Sequence, residues 1–262
     1  NAFKEHLQGE VFGIESSYSQ VAVDNIPQRT ADETLSRPFE LEELKRAIKK
    51  ARNHKAPGES GVPMEIWKNL DDICLHYVLD TLNEYCVNRE FDSEGWHTVL
   101  LTLVPKKGDP DLAKNYRPIC LIETLNKLLA SMIATRLDGH QHEIGLKNQA
   151  GFRSGYGCPD AIGPLKVALQ NLSESGQDAY VLFVDIIKAF DTVNREMLWQ
   201  ILARYGVPDH LVSVIKKLYA EITVKLSVGK AKGSFESTSG VKQGDPLAPV
   251  LFLYVMQAAI ET

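Results

Sequence analysis

The chain has 262 residues, of which 44% are hydrophobic and 24% are charged, and its formal net charge is −5. This composition predicts a soluble globular protein with one large domain or two smaller ones. It argues against a membrane protein, because the longest apolar run, residues 250–256, is too short to cross a bilayer.

Acidic residues are concentrated at the beginning of the chain. Residues 1–44 contain nine acids and three bases, so the remainder is close to neutral. Residues 1–37 also lack a clear apolar periodicity, and we predict a linker or a poorly packed lead-in there. They show no signal-peptide pattern.

The cysteines are too widely spaced for a zinc-binding pattern. We therefore expect reduced thiols in a nuclear or cytoplasmic protein. The four are Cys74, Cys86, Cys120 and Cys158.

The first strong periodic signal predicts a helix over residues 41–52, with leucines on one face and lysines on the other. Two glycines and two prolines predict a loop over residues 54–63, and a pair of helices should cover residues 64–88. The bases between residues 45 and 55 fit either a solvated helix face or a contact with nucleic acid.

A β-hairpin is predicted next. Residues 99–105 are rich in β-formers and end at a proline, residues 106–110 form a basic turn, and residues 116–121 are the returning strand. A helix should follow over residues 124–137, and its apolar spacing predicts one buried side. That side comprises Leu125, Leu128, Leu129, Met132 and Ile133.

A run of apolar β-formers, residues 180–185, ends at Asp185. We predict a strand that is buried on both faces and carries a carboxylate at its tip. A buried ionised acid must be paired or bind a metal, although an aspartate at this position can also be a cap or loop residue.

The last third of the chain has several local signals. Asn194 should cap a helix that runs to about residue 205, and another helix should follow Asp209. Residues 224–228 and 234–238 should form a hairpin around two glycines, Gly229 and Gly233. A final apolar helix should begin at residues 245–246.

The loop before that last helix, residues 240–246, reads Gly-Val-Lys-Gln-Gly-Asp-Pro. Gly244 would allow something to approach the backbone closely, and Gln243 can both donate and accept hydrogen bonds. The following helix N-terminus favours a phosphate nearby. The segment can equally be read as an ordinary helix-start turn.

Taken together, these motifs resemble those of non-long-terminal-repeat (LINE-type) retrotransposon reverse transcriptases. Phe-Val-Asp-Ile-Ile-Lys-Ala-Phe-Asp at residues 183–191 resembles motif A of that family, and residues 240–247 resemble motif B. Residues 103–109 and 115–119 resemble fingers segments. Residues 149–153 resemble the segment that leads into the palm, and residues 54–63 resemble the N-terminal extension.

The resemblance implies an α+β fold. It would have a polymerase palm, with a mixed short-stranded sheet and packed helices, and helix-rich fingers. It suggests a lead-in at residues 1–37, a helical N-terminal extension at 38–98, fingers at 99–178 and a partial palm at 179–262. The family's Tyr/Phe-x-Asp-Asp motif and its thumb are not found, so we expect an incomplete fragment.

The resemblance also implies metal and sugar contacts. Asp185 would be the catalytic metal ligand, and the carbonyl of Ile186 would complete the coordination. The implied cofactor is Mg²⁺, as two ions in the complete enzyme, with Mn²⁺ as a substitute. Phe190 would lie against the incoming sugar and exclude a 2′-hydroxyl; its alternative is plain core packing.

Further roles follow from the other matched motifs. Lys106 or Lys107, together with Arg117, would hold the triphosphate, although the lysines could be an ordinary hairpin tip. Gln243 and Gly244 would contact the nucleotide and the template.

The segment before the palm would supply contacts to the template and primer, through Gln149, Phe152 and Arg153. The implied partners are an RNA template, a DNA primer and a dNTP, with no membrane. The oligomeric state stays open.

The expected function is RNA-directed DNA synthesis. Three alternatives stay open. The first is a reverse transcriptase resembling group II intron maturases, and the second is a catalytically inactive domain that binds RNA. The third is a structural or interaction protein that contains a palm domain.

Overall fold

A single mixed sheet brings together segments that are distant in sequence. The computed structural model describes residues 2–14, 16–88, 95–109, 111–228 and 231–262. Within these ranges the sheet has four strands, in the spatial order β2-β1-β3-β4. They are β1 (Thr98–Pro105), β2 (Tyr116–Leu121), β3 (Ile222–Val228) and β4 (Ala231–Ser237).

The pairing of these strands confirms the two predicted hairpins. β1 runs antiparallel to β2, with Leu101 opposite Cys120, and parallel to β3, with Leu101 opposite Leu226. β3 and β4 are antiparallel. Gly229 lies outside the described residues. Gly233 lies within β4 rather than in the turn, so the predicted place of Gly233 is wrong.

The described residues also form ten α-helices, and the predicted α+β class is confirmed. In chain order they are α1 (Ala2–Glu10), α2 (Gln20–Asn25), α3 (Leu41–Lys50), α4 (Met64–Lys68), α5 (Asp72–Val87), α6 (Thr124–Ile144), α7 (Cys158–Glu174), α8 (Arg195–Arg204), α9 (Asp209–Tyr219) and α10 (Ala248–Glu261). Asn194 caps α8 as predicted, since its side chain accepts from the Met197 amide.

The long helix α6 lies at the centre of the core and contacts α3 and α10. It extends about two turns beyond the predicted end. Four of the five residues predicted to be buried are buried, and Leu125 is half-buried. Arg136 on this helix forms a buried ion pair with Glu43 of α3, at 2.8 Å. The same guanidinium donates to the carbonyls of Leu35 and Arg37, so one side chain ties three segments together.

The interpretation of residues 1–37 as a poorly packed lead-in is wrong. They form α1, α2 and a short 3₁₀ turn, and Leu7, Val23 and Ile26 are buried. The apolar residues are too few and too spread out for a periodicity to show, but Leu7 and Ile26 belong to the main hydrophobic core cluster. The proposed domain boundaries stay a prediction.

The predicted buried strand at residues 180–185 is also wrong. The segment has no regular secondary structure, and the side chains of Tyr180 and Phe183 are 95% and 83% exposed. β-propensity expresses how well a residue fits a pleated, half-covered surface. Among the described residues no strand lies beside this run, so it lacks the neighbour that its composition requires.

The start of the last predicted helix needs revision, and α7 is an addition to the predicted elements. α10 begins at Ala248 and not at residues 245–246, because the Asp245 carboxylate accepts from the Leu247 amide within a preceding turn. α7 had no predicted counterpart, and it contains no buried residue. In the part of the chain that is described, every helix is too short or too polar to span a bilayer.

Candidate active site

The loop that follows the predicted motif A, residues 188–193, lies directly against the predicted motif B loop, residues 240–247. We call these the two motif loops. The Gly240 amide donates to the Val193 carbonyl and the Val241 amide donates to the Phe190 carbonyl, both at 2.9 Å. Gly240 has a φ of +71°, and a Cβ there would lie 2.8 Å from the Asp191 carbonyl oxygen. Only glycine permits this approach, which explains the first residue of the 240–246 loop.

A side-chain hydrogen bond reinforces this backbone pairing. Gln243 Nε2 donates to Asp191 Oδ1 at 2.8 Å, and the Gln243 carbonyl accepts from the Cys120 amide of β2 at 2.9 Å. Gly244 packs on the same strand, where a Cβ would be 2.9 Å from the Cys120 carbonyl. Gln243 is therefore held from two sides.

Asp191 lies in a partly buried position. Burial raises the pKa of its carboxyl group, while the hydrogen bond from Gln243 and the charges of Lys188 and Lys106 oppose that shift.

Three aromatic rings meet beside the motif loops. The ring of Phe190 stacks on that of Phe252, with centroids 4.8 Å apart and planes at 20°. Phe152 meets Phe190 edge-on at 5.5 Å. The structure thus brings together the segment before the palm, the predicted motif A and α10. The half-buried Phe190 is fixed by stacking, whereas Phe152 is largely exposed.

Asp185 and Ile186 are exposed in the segment without regular structure. The described residues contain no group of three or more His, Cys, Asp or Glu side chains that could hold a metal ion. The donors of this part of the chain therefore do not make a two-metal centre on their own.

The basic turn presents its charges to solvent. Lys106, Lys107 and Arg117 are exposed, and Arg117 lies opposite Val104 across the hairpin. Lys106 Nζ donates to the Lys114 carbonyl at 3.3 Å, which leaves capacity for further acceptors.

The loop at residues 149–153 satisfies many of its own polar groups. Gln149 Nε2 donates to the Gly151 carbonyl. The Arg153 guanidinium donates to the Leu146 carbonyl and lies over the Tyr156 ring, 4.7 Å from its centroid. These contacts stabilise the loop that carries Phe152.

A groove of about 500 Å³ lies between α3, the following loop, α6 and the start of α10. We call it the basic cleft. Its charged lining consists of four bases, Lys50, Arg52, Lys55 and Lys127, and one acid, Asp245. Sequence reasoning found the first three bases but missed Lys127, which lies on α6 and shares no local pattern with them.

The cleft meets a buried charge pair that belongs to the motif B loop itself. Lys242 and Asp245 are 5% and 6% exposed, with Nζ and Oδ2 3.6 Å apart. Lys242 also donates to the Leu218 carbonyl, and Tyr219 donates to Asp245 Oδ2. Burial lowers the pKa of the Lys242 ammonium, although the Asp245 charge opposes this. A lysine in a polar loop gives no sequence signal that it is buried.

The mixed sheet, the packed motif loops and the basic turn define a domain of the polymerase class. A family model described as reverse transcriptase (RNA-dependent DNA polymerase) matches residues 104–262. This chain belongs to that family.

Curated relatives identify the kind of reverse transcriptase. The transposon TX1 uncharacterized 149 kDa protein of Xenopus laevis is 30% identical over 84% of this chain. The Pol polyprotein of the type-1 retrotransposable element R2 from Nasonia vitripennis and the RNA-directed DNA polymerase from the mobile element jockey of Drosophila melanogaster are 27% and 29% identical, each over 86%. The chain spans 17%, 21% and 26% of these proteins. All three come from non-long-terminal-repeat elements, which confirms the resemblance.

Proposed function

We propose that this chain provides the template-facing and nucleotide-facing surfaces of an RNA-directed DNA polymerase. The polymerase adds a dNTP to a primer 3′-hydroxyl on an RNA template. The observation that carries this proposal is the contact between the two motif loops, made by Gly240 and by the hydrogen bond from Gln243 to Asp191.

The aromatic contact supports a role for Phe190 at the sugar. The stacking on Phe252 restrains rotation of the Phe190 ring. A 2′-hydroxyl would then clash with this ring, which would exclude ribonucleotides by shape. Gln243 and Gly244, on the adjacent loop, would contact the nucleotide and the template.

The basic turn supports binding of the triphosphate. Lys106, Lys107 and Arg117 are exposed cations on one hairpin end, and the charge of Lys106 opposes the rise in the pKa of Asp191. Such cations would stabilise the charge that develops on the phosphates in the transition state.

The basic cleft supports binding of the RNA template. Four cations along one groove suit a polyanion that passes over the N-terminal region, α6 and the motif B loop. The loop of Gln149, Phe152 and Arg153 would add contacts to the template and primer.

Reverse transcriptases generally use divalent metal ions. In this proposal Asp185 supplies one carboxylate ligand and Ile186 a carbonyl to a Mg²⁺ site, with Mn²⁺ as a substitute. A nuclear or cytoplasmic location, as we propose, is consistent with the free cysteines in the described residues.

The test is a primer-extension assay on an RNA template with the full-length polymerase that contains these residues, run beside a filter-binding assay for RNA. Extension that Gln243→Ala impairs supports the proposal. RNA binding without any extension would favour the inactive-domain alternative. A protein that does neither would favour the interaction protein.

A further inference from the structure

The carboxylate of Asp191 is not needed for the local turn or for the cap of the next helix. Asp191 follows a turn in which its amide donates to the Lys188 carbonyl at 2.8 Å. The next helix, α8, is capped by Asn194 and not by Asp191. The carboxylate is nevertheless partly withdrawn from water, which is unfavourable unless a partner compensates.

That partner is Gln243, 52 residues further along the chain. The amide of Gln243 can point either way about its last torsion, because its oxygen and nitrogen are similar in size. An ionised carboxylate can only accept hydrogen bonds, so it pairs with the nitrogen of the amide and not with its oxygen. The bond to Asp191 Oδ1 therefore selects one orientation and directs Gln243 Oε1 away from Asp191.

The backbone of Gln243 is fixed independently. Its carbonyl accepts from the Cys120 amide of β2, and the flanking residues Lys242 and Asp245 are buried as an ion pair. Only the side chain retains freedom, so one hydrogen bond decides where its polar atoms lie.

We propose that Asp191 is a positioning residue, whose carboxylate sets the orientation of the Gln243 amide for the incoming nucleotide and template. This inference rests on the proposed function of Gln243. Asp191 does not contact the substrate itself; it acts through Gln243. Its effect is lost when either partner is removed.

The test compares steady-state primer extension by the full-length polymerase and its variants Asp191→Ala, Asp191→Asn, Gln243→Ala and the double alanine variant. A hydrogen bond to a charged group is worth about a tenfold to hundredfold change. We expect Asp191→Ala to lower kcat/KM for dNTP by about that factor, with the double variant no worse than Gln243→Ala. Asp191→Asn keeps an acceptor oxygen and should recover much of the loss. Asp178→Ala, which removes an exposed carboxylate, is the matched control.

The outcomes separate the inference from the function on which it rests. If Gln243→Ala has no effect, the proposed role of Gln243 fails. If Gln243→Ala impairs extension while Asp191→Ala does not, or if the two losses multiply in the double variant, Asp191 is not its positioning residue. A purely structural role would lower the melting temperature without such coupling.

A second measurement needs no catalysis. In the 262-residue protein, the side-chain NH₂ signals of Gln243 in an NMR spectrum should exchange slowly with water. Asp191→Ala should move them to the position of an exposed glutamine and accelerate their exchange, whereas Asp178→Ala should not. Unchanged signals in Asp191→Ala would overturn the inference.

Discussion

The rings of Phe190 and Phe252 lie nearly parallel, with centroids 4.8 Å apart. The stacking joins the predicted motif A to α10 and fixes the plane of Phe190. This contact restrains the ring that we propose faces the sugar, and it does not involve the residues proposed to hold the triphosphate. Selection for the sugar can therefore be tested separately from catalysis.

Replacing Phe190 should relax sugar selection. Phe190→Val removes the ring and should lower the ratio of dNTP to rNTP incorporation efficiency by about two orders of magnitude, equivalent to roughly 3 kcal/mol. Phe252→Leu leaves Phe190 in place but removes its stacking partner, so we expect a smaller loss. The measurement is single-nucleotide incorporation by the full-length polymerase.

Asp185→Asn provides the contrast, since it should abolish incorporation of both sugars. An unchanged ratio in a folded Phe190→Val protein would show that Phe190 is only core packing.

Acid should weaken the contact between α3 and α6. Burial raises the pKa of the Glu43 carboxyl, but the hydrogen bonds and charge of Arg136 outweigh it, so the pKa is lowered overall from 4.5. This stabilisation is present above the unfolded pKa of about 4.5 and is lost as the pH falls through the lower folded pKa. Urea unfolding across that range should show the loss.

Glu43→Gln should abolish that pH dependence and cost about 3 kcal/mol or more at neutral pH, because Arg136 stays buried without its counterion. Glu42→Gln, on the exposed side of α3, is the control. If both variants unfold alike, the buried ion pair contributes little.

RNA binding by the 262-residue chain should depend strongly on salt. Each phosphate that a cation of the basic cleft neutralises should contribute about −0.7 to the slope of log K against log salt for a single strand. Lys55→Ala and Lys127→Ala should each make the slope shallower by about that amount. Filter binding over a salt series measures it.

Lys216→Ala, at the end of α9 and away from the cleft, should leave the slope unchanged. A slope that is insensitive to both cleft variants would place the RNA elsewhere.

The 262-residue chain by itself should not extend primers. Asp185 and Ile186 supply too few donors for two ions, and the described residues offer no other group of metal-binding side chains. A primer-extension assay with Mg²⁺ or Mn²⁺, with the full-length polymerase as the positive control, measures this. Measurable dNTP incorporation by the chain would contradict the expectation.

Local sequence signals predicted the elements whose stability is local. The amphipathic spacing located α3 and α6, Asn194 marked the start of α8, and the β-formers marked the β1–β2 hairpin. In each case the residues that decide the structure lie within a few positions of one another, so a pattern is visible without knowledge of the fold.

The predictions failed where long-range contacts decide. Asp191 and Gln243 meet only because Gly240 lets two loops approach. Lys242 is buried because Asp245, Tyr219 and the Leu218 carbonyl surround it. Neither fact has a local signature. The reverse holds for residues 180–185, where local preference predicts a strand but none of the strands in the described part of the chain lies beside it.

The exposed run of β-formers at residues 180–187 also carries a hazard of self-association. An uncovered apolar segment with free backbone groups is a template for cross-β stacking between copies. Asp185 is the only charged residue within this run, and Lys188 follows the run directly. Charges at such positions act as gatekeepers against stacking. Asp185→Asn, which tests the metal ligand, therefore also removes a gatekeeper. Light scattering should accompany that assay, with Asp185→Glu as the variant that keeps the charge, so that aggregation is not mistaken for a loss of catalysis.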